Sequence, residues 1–180
     1  MQTEQSTGGD NDTPPVPPPK IIRWLEWPVR LGGIISTAMI LVAFSLVIYA
    51  VFQRYFLNTP LKWGDELLGY LLVTIVMTGA AEAYRRGDQI AIDLISARLS
   101  GAFRRGAKVF SAVSVLTFST ILFISSDEVV RFSYGFGSYS PGYLEAPMWI
   151  PQSALIVGSV LLTLAAVARL LRLASRLDQA

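Results

Sequence analysis

The sequence predicts an all-α integral membrane protein of four transmembrane helices, with both termini on the cytoplasmic side and an amphipathic helix in the interface between spans two and three. Three observations carry this. The 180-residue chain contains four long apolar stretches; its basic residues gather on one side of them; and the segment between the middle two repeats apolar residues at helical spacing.

The stretch from Leu31 to Phe52 has no formal charge, and about 20 apolar residues rising 1.5 Å each cross roughly 30 Å of hydrocarbon. Spans are expected at about 31–53, 63–84, 108–131 and 146–168, the third around the uncharged run Val109 to Ser126 and the fourth opening at Ala146. Together they form a membrane domain covering 21–176. Basic loops resist translocation, so the side carrying more Lys and Arg is expected to be cytoplasmic. Twelve of the fifteen basic residues flank the termini and the middle loop, and only Arg54, Lys62 and Arg131 lie on the other side. The loops around Asn58 and Tyr139 then face outward.

Residues 1–20, rich in Pro, Gly and polar residues, bury too little apolar surface to offset the entropy of ordering, which predicts a disordered cytoplasmic tail. Its run Pro14 to Pro19 reads as a solvated spacer or as a polyproline II ligand. The first apolar segment is too long, and starts too far into the chain, for a secretory signal, so it is expected to remain in the mature protein. Cys and His are both absent, which excludes axial-His haem binding, iron–sulfur clusters, Cys/His zinc sites and disulfides. No nucleic-acid partner is expected; the lipid bilayer is one.

Between about 88 and 106, Ile92, Ile95, Leu99, Ala102 and Phe103 share one stripe at 100° per residue, while Asp93, Ser100, Arg104 and Arg105 point elsewhere. The stretch is expected to lie in the inner interface, its arginines toward anionic headgroups. A short helical connector is the alternative, because Gly101 weakens the middle. The outer loop from Phe132 to Pro151 carries six aromatic residues, including Tyr139, Tyr143 and Trp149. They form an interfacial belt or, with Asp127, Glu128 and Glu145 against Arg131 alone, a surface for an extracytoplasmic partner.

Ionisable residues near membrane depth are functional candidates. Asp65 and Glu66 fall in the outer first turn of the second helix, where carboxylates complement the helix dipole, so a structural cap and an ion site both remain open. Glu82 is one turn from Arg85 and Arg86, a spacing for an ion pair that snorkels to water. Small residues four apart, Gly33 with Thr37 and Ala154 with Gly158, mark faces that admit another helix closely.

The run Arg54-Tyr55-Phe56, then Pro60 and Trp63-Gly64-Asp65-Glu66-Leu67, resembles the first outer turn of the small membrane subunit of tripartite ATP-independent periplasmic (TRAP) transporters. Gly79-Ala80-Ala81-Glu82-Ala83-Tyr84-Arg85 through Asp93 is similar to that family's G-A-A-x-A-x-R signature, with Gln89 where histidine is usual. Leu144 to Trp149 resembles its Leu-x-x-Pro-x-Trp approach to the fourth helix, through Pro147 and Trp149. The resemblance covers roughly residues 25 to 172.

It implies a non-catalytic subunit without cofactor, bracing a large multispan transport subunit that binds the coupling sodium, while a periplasmic binding protein delivers an organic acid. Arg54, Tyr55, Trp63, Asp65, Glu66, Glu82, Arg85, Asp93, Pro147 and Trp149 are then the motif and partner-contact candidates, with Gly33 and Gly158 for helix packing. The implied location is the bacterial inner membrane. Readings from other classes are a self-sufficient proton-coupled exporter using Glu82 or Glu66, and a membrane anchor or assembly subunit of an enzyme complex.

Overall fold

The computed structural model describes residues 20–87 and 102–177. These form α1 (Lys20–Phe56), α2 (Gly64–Arg86), α3 (Ala102–Gly135) and α4 (Trp149–Leu177). All four are long and apolar enough to cross a membrane. Helices suit that task because hydrocarbon offers no partner to a backbone N–H or C=O. The chain is a multi-pass membrane protein. The helices alternate in direction, so the start of α1, the end of α2, the start of α3 and the end of α4 share one end of the molecule, the basic end.

Two helix starts differ from expectation. α1 opens at Lys20, not near 31, and runs through Pro28. Proline removes the donor that would bond the Trp24 carbonyl, which is tolerable where that carbonyl lies beyond the hydrocarbon and is solvated. α4 starts at Trp149, because residues leading into it are extended: Tyr139 and Pro147 form an antiparallel bridge. The expected interfacial helix at 88–106 and the tail lie mostly outside the described residues, as does Asp93. The last residues of that expected helix, from Ala102, instead open α3.

Chain direction changes at positive-φ residues where the structure needs them. Asn58 (φ 54°) follows α1, whose end is tied by amides of Leu57 and Thr59 donating to the Gln53 carbonyl at 3.2 Å. Gly87 (φ 82°) ends α2 and donates to the Tyr84 carbonyl, a left-handed cap that only a residue without Cβ adopts freely.

α4 is the hub, packing against α1, α2 and α3, while α3 touches α4 alone among the described helices. The core sets the small residues Ala81, Ala165 and Ala166 against Val29, Tyr84 and Leu161. Apolar surface gains nothing by leaving lipid tails for protein, so close backbone approach and interhelical hydrogen bonds hold the helices together. Ser36 on α1 donates to the Ile75 carbonyl on α2 at 3.0 Å, and Ser36 Oγ leaves no room for a side chain at Gly79. Between α3 and α4, Thr163 Oγ1 lies 3.0 Å from the buried Ser119 Oγ.

The small-residue faces expected to admit another helix are filled from within the chain. A Cβ at Gly33 would stand 2.6 Å from Glu82 Cγ, and one at Gly158 would meet Met77 Cβ at 2.5 Å and its backbone at 3.0 Å. Both glycines admit α2. The second half of α1 has the opposite character: Leu41, Phe44 and Ile48 are more than half exposed, an apolar surface that only lipid or another membrane helix covers stably.

Overpacking at Gly158 has a predictable outcome. Gly158→Leu is expected to destabilise the detergent-solubilised chain by about 1–3 kcal/mol, since the atoms in its way include backbone, and thermal unfolding followed by circular dichroism measures this. Gly69→Ala is the control, with nothing within 4 Å of its Cβ position, and is expected to hold or raise stability.

Candidate functional site: two polar clusters at the helix ends

Polar contacts between helices concentrate at the two ends of the bundle. At the basic end, Glu82 accepts two hydrogen bonds from Arg85 (Nε to Oε2 and Nη2 to Oε1, each 2.7 Å) and a third from Arg86 Nε, also at 2.7 Å. The pairing expected from the i,i+3 and i,i+4 spacing is therefore present with both arginines. Local spacing does not single out the second carboxylate. Glu26 on α1 is 5% exposed, hydrogen-bonded to Arg172 Nη2 of α4, and 3.9 Å from Arg85 Nη1 of α2. Alongside, the Arg169 guanidinium lies 5.0 Å from the Tyr84 ring centroid.

Three helices are thus joined through one carboxylate. Glu26 reaches this position because Ile22, Glu26, Val29, Gly33 and Ser36 recur at spacings of four and three, and that face of α1 turns toward α2 and α4. Ile22, Glu26, Val29 and Ser36 are all buried. The stripe is visible in the sequence, yet reading begins naturally at Leu31, where charge disappears. Arg172 registers there only as a topological charge.

At the other end, Glu66 does more than complement the helix dipole. Its carboxylate accepts the hydroxyls of Tyr70 (2.7 Å) and Ser140, and the Leu144 amide at 3.1 Å. The loop it holds is a small hairpin, with Ser140 N to Ala146 O and Met148 N to Ser138 O both at 2.9 Å. Gly137 (φ 60°) and Glu145 (φ 44°) make its turns, and Gly142 is glycine because a Cβ there would collide with the Glu66 carboxylate. Outside the latch, Tyr139 and Tyr143 are about two-thirds exposed, with Lys62 Nζ 5.3 Å from the Tyr143 ring centroid.

The remaining candidates scatter. Trp63 occupies the N-cap of α2 without a capping side-chain bond, and Asp65 is exposed. Arg54 sits over Tyr55, 5.9 Å from its ring centroid, at the end of α1. Pro147 forms the bridge with Tyr139, and Trp149 packs edge-on to Tyr134 at 6.1 Å. Among the described residues no group of acidic side chains is arranged to hold a metal ion.

Both clusters yield expectations. Glu26→Gln should lower stability by about 1–3 kcal/mol, the range for lost hydrogen bonds to a charged group. A double-mutant cycle with Arg172→Gln should return a coupling of about 1 kcal/mol, because Arg172 is partly solvated; chemical denaturation in mild detergent measures both. Glu66→Gln should speed hydrogen exchange at the Leu144 amide roughly tenfold, the equivalent of one weakened charge-assisted bond.

Comparison with known proteins meets this geometry. Residues 43–176 match the sequence model of the tripartite ATP-independent periplasmic transporters, DctQ component. The chain is 32% identical over 102 residues, 57% of its length, to the C4-dicarboxylate TRAP transporter small permease protein DctQ of Rhodobacter capsulatus, covering 44% of that protein. It is 31% identical over 100 residues, 55% of its length, to the sialic acid TRAP transporter permease protein SiaT of Haemophilus influenzae (strain 86-028NP), covering 15% of it. The matches thus span less than half of either relative. With well over half of its residues matched by the family model, the chain belongs to the DctQ-component family of tripartite ATP-independent periplasmic transporters.

Proposed function

We propose that the chain is the non-catalytic small subunit of a TRAP transporter. It braces a large multispan subunit that carries the coupling sodium and an organic acid, which a periplasmic binding protein delivers. The observation that carries this reading is where the charges are. The spans are uncharged between Leu67 and Ala81, Val109 and Ser126, and Trp149 and Ala168, and the carboxylates at the ends of α2 are occupied, Glu82 by two arginines and Glu66 by the hairpin. A transport site needs polar groups free to exchange partners near the membrane centre.

A second support is that one relative holds its matching stretch inside a far longer permease polypeptide, as a part that works beside others would. The exposed half of α1 is a face for the large subunit, and the hairpin held by Glu66 is one for the binding protein. The one-sided distribution of basic residues supports an orientation with both termini cytoplasmic.

Co-expressed with its large subunit, the chain should co-purify, and uptake of organic acid should require both together with the binding protein. Reconstituted alone it should transport nothing. Sodium-driven or proton-driven uptake by the purified chain, abolished by Glu82→Gln, would establish a self-sufficient transporter instead. Single cysteines at Tyr139 and at Ala174, in a chain without native thiols, should be respectively labelled by and shielded from an impermeant reagent in intact cells; the reverse pattern would invert the topology.

A further inference from the structure

The first turns of α1 carry polar and aromatic groups that neither the ion cluster nor the bracing role uses. Arg23, Trp24, Glu26, Trp27 and Arg30 line a cavity of about 590 Å³. Arg23, Trp27 and Arg30, at i, i+4 and i+7, share a face of the helix. Trp24 is 81% exposed and Trp27 65%, an unusual cost in water for two large rings unless something covers them. Glu26, the cavity's acid, is already paired with Arg172 and Arg85, whereas Arg23 and Arg30 have no carboxylate partner among the described residues.

Depth identifies the ligand class. If the hydrocarbon begins near Leu31, a rise of 1.5 Å per residue puts Trp27 about 6 Å and Arg23 about 12 Å beyond it, and the headgroup layer is roughly 5–8 Å thick on each side. Arg30 and Trp27 therefore stand within that layer, while Trp24 and Arg23, about 10 and 12 Å out, lie beyond it, with Arg23 within side-chain reach of a headgroup. Guanidinium groups recognise phosphate oxygens with paired donors, and indole rings favour the level of the glycerol backbone. Free phosphate offers the arginines the same chemistry but gives the tryptophans nothing to cover.

We propose that this cavity is a binding site for an anionic phospholipid, with Arg23 and Arg30 contacting the phosphate-bearing headgroup, Trp27 beside its glycerol backbone and Trp24 flanking the headgroup. Site occupation would anchor the part of α1 that carries Glu26, so lipid and ion cluster would fix the same segment.

The test uses the full-length chain, delipidated in detergent, in a Trp63→Phe/Trp149→Phe background so that fluorescence reports Trp24 and Trp27 alone. Short-chain phosphatidylglycerol should change the signal saturably, phosphatidylcholine should do so far more weakly, and inorganic phosphate should not compete at equal concentration. Each arginine replaced by glutamine should raise the apparent Kd about fivefold, and Arg23→Lys/Arg30→Lys should keep only part of the affinity, since an ammonium lacks the paired donors. A second measurement leaves the arginines intact: in mixed vesicles, brominated phosphatidylglycerol should quench these two tryptophans more than brominated phosphatidylcholine at equal mole fraction. Equal quenching by the two lipids, a response unchanged by loss of both arginines, or an equal response to inorganic phosphate would each overturn the assignment.

Discussion

The structure depends on the ion cluster in which Glu26 meets Arg172 and Arg85. A carboxylate this well buried is costly to desolvate, and is stable only with cationic partners held against it. Those partners come from α2 and α4, so burial of one side chain on α1 requires three helices to meet in one register. Glu82 reinforces the arrangement by orienting Arg85 through two hydrogen bonds, which leaves that guanidinium's third nitrogen directed at Glu26. Arg85 is thereby shared between an acid on its own helix and one on the next.

With the register set by charge, packing follows from residue size. Gly33 lies beneath Glu82 and Gly158 against the Met77 backbone, so the two glycines let α2 sit between α1 and α4 at short range. Ala165, Ala166 and Ala168 continue the smooth face of α4. A leucine-rich seam would offer no advantage here, since lipid solvates leucine as well as protein does; flat surfaces maximise van der Waals contact instead. The consequence is an uneven molecule, close-packed from the basic end to the level of Ser36 and open along the rest of α1.

Most of this architecture was legible in the sequence, and the exceptions have one cause. Span number, approximate limits and the Glu82 ion pair follow from composition and local spacing, which one helix specifies by itself. Long-range pairings do not. Glu26 reads as an ordinary polar residue of a flanking segment until α4 is placed beside it, 146 positions away in sequence. Glu66 reads as a dipole-complementing acid until the hairpin folds over it, and its partners Ser140 and Leu144 belong to no recognisable motif. The start of α4 was missed for a related reason: residues 146–148 are as compatible with helix as with the extended strand that the bridge to Tyr139 imposes. Pro28 inside α1 costs little, because the one hydrogen bond it removes frees a carbonyl that reaches water.

The placement of the two clusters also explains how the bundle holds one register. Helices in lipid slide and tilt when only their apolar midsections touch, because such contacts have no preferred register beyond side-chain shape. Here the charged contacts lie at one end and the latch at the other, and between them a few hydroxyls such as Ser36 and Thr163 supply directional bonds. Pinning a bundle at separated points resists rotation far better than the same bonds clustered at its centre would, since leverage grows with distance from the pivot. It also keeps the charges of both clusters near the helix ends, where water or headgroups reduce their desolvation cost. The same distribution leaves the midsections of the described spans uncharged, so a fixed register and an apolar midsection have one origin.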